Sequence, residues 1–401
     1  MSFTRSMYKV GIDIGGTNTK FLLFDKKIKN YSNATIEVVK TPLNLIKGNK
    51  VYIDVEGIDK MINSKLNTIG FENISNISIS GQMHSSLILK NEKIIDGPYS
   101  WQSEKHSELN VLDSRGKKKI NDIKRGYPVY SISNYEGRYC TLLTYIFAEM
   151  TGNYNLIHYS EAASSGMFDF ESGAWNSEII KSSFQKVEFP KILKNIKYFK
   201  HKNFPTKVSI PVGDFQMSMF SNIDKNTSIS INIATGGQIA LIGNEESAVY
   251  QLRPTLKGAG VYDCYTQLPA GRLIDLFKKL KYADINNLMS SNFDNDVYEK
   301  TQECKDLFTR QEMETYINEL SKNSKEDNLN LIFLSSILKK YINILNKYHA
   351  EYKFNEIILS GSILENYNFF KQGLSHFFKD CNIEFNQQDV LKTHFYLLKN
   401  R

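Results

Sequence analysis

Two aspartates stand where short glycine-bearing turns meet strands, and each could do chemistry. Asp13 lies two residues before Gly15-Gly16 within Tyr8 to Asp25, YKVGIDIGGTNTKFLLFD. Adjacent glycines let backbone N–H groups approach an anion without interference from a Cβ; Thr17, Asn18 and Thr19 add short donors, and Lys20 adds a positive charge just beyond. Asp13, on the strand leading in, would face the same cavity as a carboxylate able to hold Mg2+ through waters. An ordinary Gly-Gly hairpin with a solvated Asp and Lys is the competing reading. Asp214 follows Gly213 in Val208 to Phe220, VSIPVGDFQMSMF, where a strand gives way to an apolar helix. A carboxylate beside a helix N-terminus is stabilised in charge and fixed in position, so Asp214 reads either as an N-cap or as a catalytic base.

Three further stretches carry polar groups to strand ends. Ile74 to Ser80 alternates cleanly and stops at Gly81-Gln82-Met83-His84-Ser85-Ser86, a plausible substrate floor, although a single His there also reads as a satisfied structural residue. Trp101, beside Gln102 in PYSWQSEK, suits stacking against a sugar or a place in the core. Ser228 to Leu241, SISINIATGGQIAL, repeats the opening design: alternating strand, a Thr235-Gly236-Gly237 turn, apolar strand. A duplicated strand-turn-strand unit could clamp phosphates from both sides. Ser360-Gly361-Ser362, with Asn366 beyond, is a small-residue turn whose plainest reading is a strand-to-helix connection.

The elements that must position these residues are readable by period. Ala34 to Lys40 predicts a third strand, Val55 to Ile69 a helix, and Glu356 to Leu359 a strand. Asn328 to Ala350 is the strongest helix, with Leu331, Leu334, Ile337, Leu338, Tyr341, Ile344, Leu345 and Tyr348 at helical spacing. Ser160 to Trp175 is small and turn-forming, a close approach to the cleft or a surface excursion. Residues 281 to 328, polar and helical in patches, predict a lid or surface insertion. The 401 residues suffice for two domains. With lysines spread along the chain, the net charge of +7 reads as a solvated basic surface and not as a nucleic-acid interface. Cys140, Cys264, Cys304 and Cys381 lie far apart with no CxxC pair, which fits neither a disulfide framework nor a zinc site and predicts a reducing cytoplasm. No apolar leader or membrane-length run is present in the sequence, so no membrane partner is expected.

Taken in order, these motifs resemble the FGGY carbohydrate kinases of the actin-like ATPase superfamily. GIDIGGTNTK looks like their first phosphate motif, SGQMHSS like the GQMHG sugar motif of xylulokinases and sedoheptulokinases, and WQSEK like WQDxR. SSGMFDFESGAW resembles a TGLFD-type segment, VGDFQ the GDxQ that carries the catalytic Asp, and NIATGGQIA the second phosphate motif. The LRP at 252 to 254 is similar to a sedoheptulokinase feature, and LSGSILEN to the adenosine GGGAxxN. The resemblance implies an α/β fold of two ribonuclease-H-like domains flanking a nucleotide and sugar cleft, residues 1–223 and 224–401. It implies Asp13 and Asp214 at Mg2+; Gly15, Gly16, Thr17, Asn18 and Lys20 at the outer phosphates; and Thr235, Gly236 and Gly237 at the nucleotide. Gly361, Ser362 and Asn366 would lie near adenosine, and Gln82, Met83, His84, Trp101, Gln102, Asp214 and Phe215 at the sugar. Asp214 would accept the proton of a primary hydroxyl attacking the γ-phosphoryl group of ATP. A homodimer is the expectation from symmetry alone.

The sequence departs from the family pattern at several points. Ser103 and Lys105 replace the Asp and Arg of WQDxR, so the sugar hydroxyl contacts are expected to differ from that pattern. Ser85 crowds a position normally glycine, Ser360 and Ser362 replace glycines at the adenosine motif, and no AxGAA-type terminal helix is readable in QQDVLKTHFYLL. These changes keep open a degenerate sugar or nucleotide sensor. An actin-like assembly ATPase is disfavoured by the GQMH motif, and the retained Asp13, Lys20, Asp214 and Thr235 favour a kinase.

Overall fold

The computed structural model describes residues 7–48, 50–100, 103, 134–220, 227–234, 236–243, 251–256, 260–280, 288, 290–307, 310–323, 328–361, 363–364, 368–386, 390–399 and 401. The chain divides into two compact units. Met1–Ser221, Arg253–Ala259 and Asp389–Arg401 form the first, and Asn222–Leu252 and Gly260–Gln388 the second.

The first unit is organised by a mixed sheet. Strands β1 (Tyr8–Ile14), β2 (Asn18–Asp25) and β3 (Thr35–Lys40) make an antiparallel meander. On its other side β1 pairs in parallel with β4 (Ile74–Gly81), which in turn pairs in parallel with β5 (Lys207–Ser209) and β6 (Val212–Gly213). Period-two alternation splits β1 between two environments. Val10, Ile12 and Ile14 enter a core with helices α1 (Val55–Ile69) and α2 (Leu142–Thr151), which contribute Ile58, Ile62, Leu142 and Ile146. Gly11 and Asp13 take the opposite face. Helix α1 begins where Asp54 accepts a hydrogen bond from the Gly57 N–H and ends at Gly70, whose φ is 85°. Its bounds are those its apolar spacing predicts.

The second unit repeats this topology. Strands β7 (Ser228–Ile233), β8 (Gly237–Gly243) and β9 (Val261–Leu268) form the meander; β7 pairs in parallel with β10 (Glu356–Ser360), and β10 with β11 (Asn382–Phe385). The same strand order around the same turn in both units gives physical substance to the repeated hairpin in the sequence. Helix α5 (Leu329–Tyr352) fills the core, with Phe333 stacked on Phe277 at 3.8 Å between centroids.

Two expectations are corrected here. Residues 281–328 are not merely a lid or surface insertion: Leu288, Tyr298, Cys304, Met313 and Ile317 are buried in the second unit's core. Their sparse apolar positions in a polar background hid that role. A terminal helix, α6 (Val390–Lys399), is also present, and its Leu391, Phe395 and Leu398 pack with Leu22 and Phe24 of β2.

Candidate active site

The first glycine turn is held from below and open above. Gly15 N–H donates to Asn18 O at 3.1 Å, and Thr41 reaches under the turn through Oγ1 to Gly15 O (2.8 Å) and N–H to Thr17 O (3.0 Å). Gly16, Thr17 and Asn18 are exposed. Asp13 and Lys20 are direct cross-strand partners, so they share a face of the sheet, Asp13 buried and Lys20 exposed. Ser80 Oγ donates to Asp13 Oδ1 at 3.1 Å.

The loop after β4 extends this site. Gln82 N–H donates to Ile14 O at 2.8 Å; its side-chain oxygen lies 3.4 Å from where a Gly16 Cβ would be, and its Nε2 is buried without a partner. Met83 packs so closely on Gly213 that any Cβ there would overlap its sulfur. His84, held at φ 61°, bonds through Nδ1 to Ser164 O at 2.8 Å. A carbonyl can only accept, so Nδ1 carries a proton. Ser85 does not simply crowd the loop: its Oγ accepts from Leu142 N–H at 2.8 Å, at the start of α2. Ser103 is likewise committed, accepting from Val51 N–H (3.0 Å) and donating to Val51 O (3.2 Å).

Asp214 opens helix α4 (Asp214–Phe220), and its Oδ1 accepts from Phe215 N–H at 2.7 Å. Burial pushes its pKa up to about 7, reinforced by the Asp13 charge and opposed by the Phe215 N–H and by Arg253. Arg253 is buried with its guanidinium 4.6 Å from the centroid of the Phe215 ring. A second acid stands behind. Glu161, in the short helix α3 (Tyr159–Ser164), is fully buried with neither carboxylate oxygen hydrogen-bonded. Burial pushes it up to about 8; the nearby Thr141 hydroxyl opposes this and the Asp214 charge adds to it. Ser160 ties the same helix to Gly213, accepting from its N–H at 3.1 Å and bonding His158 Nδ1 at 2.8 Å. The Ser160 to Trp175 segment thus approaches the Asp214 strand. Glu161 and Arg253 carried no site assignment from sequence; the LRP triplet was the one available signal for Arg253.

Because Glu161 holds a proton in the folded state up to about pH 8 and releases it near 4.5 when free, its contribution is full below 4.5 and is lost as pH rises to 8. Chemical denaturation should therefore show the parent losing about 3–5 kcal/mol relative to Glu161→Gln across that window. Parallel stability profiles for the two proteins would contradict this.

In the second unit the corresponding turn is closed by Ala234 N–H to Gly236 O at 3.2 Å and anchored by Gly271 N–H to Ala234 O at 2.8 Å. Gly361, at φ 103°, sits so close to β7 that a Cβ would overlap Ile233 O. Gly236, Gly237 and Gly361 are thereby gathered at one end of this sheet. Ser360 turns its hydroxyl into the sheet, bonded to Asn232 Nδ2 (3.1 Å) and Ile231 O (3.3 Å). Trp101, Gln102, Lys105, Thr235, Ser362 and Asn366 lie outside the described residues. Among the described residues no cluster of three or more His, Cys, Asp or Glu side chains could hold a metal, and no helix is long and apolar enough to cross a membrane.

Comparison with known proteins defines the class. The ligand-bound xylulose kinase of Lactobacillus acidophilus superposes with a TM-score of 0.74 at 17% identity, over 98% of this chain and 89% of that one. The gluconate kinase of the same organism gives 0.72 at 18% identity over 98% and 89%. The ADP-bound glycerol kinase of Plasmodium falciparum gives 0.70 at 13% over 97% and 88%. The fold is therefore the two-domain actin-like ATPase fold. Residues 8–205 match the N-terminal domain of the FGGY family of carbohydrate kinases. A comparison with curated proteins gives no match.

Proposed function

We propose that this carbohydrate kinase transfers the γ-phosphoryl group of ATP to a primary hydroxyl of a ketose or related sugar, sedoheptulose- or xylulose-like, with Asp214 as general base. The observation that carries the reading is Asp214 itself: a carboxylate raised to about 7 by burial and by Asp13, on the same unit as the open glycine turn. A base with that pKa is half ionised near neutral pH and can still receive a proton. The hydroxyl proton passes to the Asp214 carboxylate as the sugar oxygen bonds to the γ-phosphorus and the bond to the β-bridging oxygen breaks, releasing ADP.

Gly15, Gly16, Thr17, Asn18 and Lys20 would meet the outer phosphates. Thr235, Gly236, Gly237, Gly361, Ser362 and Asn366 would hold the rest of the nucleotide. Gln82, Met83, His84, Trp101, Gln102 and Phe215 would hold the sugar. Asp214, whose ionisation the Asp13 charge opposes, would gain from a divalent cation beside the pair, and Mg2+, which keeps several waters, needs only one or two carboxylates. Asp13 and Asp214 would hold it, and when bound it supplies neutralisation of phosphate charge. No disulfide joins the four cysteines, which with the use of ATP fits a cytoplasmic setting. The backbone bonds of Ser85, Ser103 and Ser360 give those departures structural employment, which favours a working enzyme over a sensor. With Ser103 engaged at Val51, hydroxyl contacts to the sugar are expected to differ from those of the WQDxR pattern.

The test is a panel of ketoses and polyols with MgATP, following ADP release; no sugar-stimulated ADP above background would reject the reading. On the preferred sugar, kcat/KM should rise about tenfold per pH unit below 7 and level off above it, because the ionised base is the active form. Arg253→Met removes a charge that holds the Asp214 pKa down and should move that limb up by about one unit. A profile unmoved by the substitution would remove Arg253 from the site.

A further inference from the structure

The face of the first sheet opposite its core carries a buried polar chain that ends on Asp13. In β4, Ile77 and Ile79 enter the core while Ser78 and Ser80 lie on the other side with Gly11 and Asp13 of β1. Helix α6 covers that side, and its His394 is fully buried. His394 Nε2 is 2.8 Å from Ser80 Oγ and Nδ1 is 2.9 Å from Ser78 Oγ. Ser80 Oγ bonds Asp13 Oδ1 at 3.1 Å. A side chain at position 11 would put its Cβ 2.7 Å from His394 Cβ, so glycine there is what lets the helix approach.

Proton counting orients the chain. A carboxylate only accepts, so the single Ser80 proton goes to Asp13 and the Ser80 oxygen must accept from Nε2–H. Burial pushes the His394 pKa down to about 3, against a smaller opposing effect of the Ile12 backbone, so the ring is neutral and has one N–H. Nδ1 is then the acceptor for the Ser78 hydroxyl. Each donor in the series faces an acceptor, and the last is the carboxylate on the strand that leads into the glycine turn.

We propose that His394, acting through Ser80, is a positioning residue that orients the Asp13 carboxylate for phosphoryl transfer, with Ser78 fixing its tautomer. The role of Asp13 rests on the function proposed above; the chain of hydrogen bonds does not. With Oδ1 tied to Ser80, rotation of the carboxylate is opposed by a hydrogen bond to a charged group in a buried setting.

Three measurements on the full chain test this. Nitrogen-15 shifts of the His394 imidazole should report the Nε2–H tautomer; an Nδ1–H tautomer overturns the proposal. In urea unfolding, His394→Asn should shift the folding equilibrium about tenfold more with Asp13 present than on an Asp13→Ala background. Equal losses on the two backgrounds make His394 a packing residue only and overturn the proposal. If His394→Asn fails to fold, Ser80→Ala with Asp13→Ala gives the same cycle by removing only a hydroxyl. In kinetics, Ser80→Ala should lower kcat by about tenfold or more with the sugar KM within about twofold. A parental kcat in that variant overturns the positioning role. A parent without sugar kinase activity rejects the proposed function instead, and the tautomer and the coupling still decide the chain.

Discussion

Asp214→Asn lowers kcat by about a hundred- to ten-thousand-fold, while MgATP affinity, with one of two proposed Mg2+ carboxylates neutralised and the phosphate turn intact, falls by no more than about tenfold. The substitution keeps the size of the side chain and an oxygen able to accept the Phe215 N–H, which Oδ1 now receives at 2.7 Å. What it removes is the site that takes a proton. It also removes the charge that opposes ionisation of Glu161. The variant should therefore fold, and its defect should appear in turnover. Rapid-quench measurement of sugar phosphate formation, with calorimetric titration of MgATP, separates the two quantities. Transfer at the parental rate would mean that Asp214 is only a helix-terminal residue.

Gly237→Ala should destabilise the second unit by about 3 kcal/mol or more. The new Cβ would overlap the Tyr341 hydroxyl and lie 2.9 Å from Tyr341 Cζ and from Leu268 Cβ. Tyr341 cannot swing aside cheaply, being fully buried with its hydroxyl donating to Pro269 O at 3.2 Å. Tyr341→Phe removes the overlapping oxygen but leaves Pro269 O without that donor, a loss of about 1 kcal/mol by itself. Combined with Gly237→Ala it should recover part of the stability, a non-additivity expected of residues in direct contact. Urea unfolding of the four proteins measures it; a Gly237→Ala protein as stable as the parent would contradict the packing described.

Where elements are built from neighbouring residues, the sequence was enough. The two hairpins follow from period-two apolar runs meeting at Gly15-Gly16 and Gly236-Gly237, and helix Leu329–Tyr352 from its 3.6-residue spacing. The order of motifs pointed to the FGGY family before any contact was known. Residues 281–328 misled because only a few apolar side chains there reach the core, too few to dominate a polar composition.

What the sequence alone determined, then, is the pair of repeated units and the residue types at their turns, since periodicity and turn chemistry act over a few positions. Only the tertiary structure decided which distant residues act on Asp13 and Asp214. His394 lies 314 residues from Ser80, and Glu161 and Arg253 reach Asp214 from separate segments. None of these three belongs to a period or a turn, and each is brought in by sheet pairing and helix docking. Burial then supplies the electrostatics, because a carboxylate removed from water at position 161 or 214 has a pKa set by its surroundings and not by its neighbours in the chain.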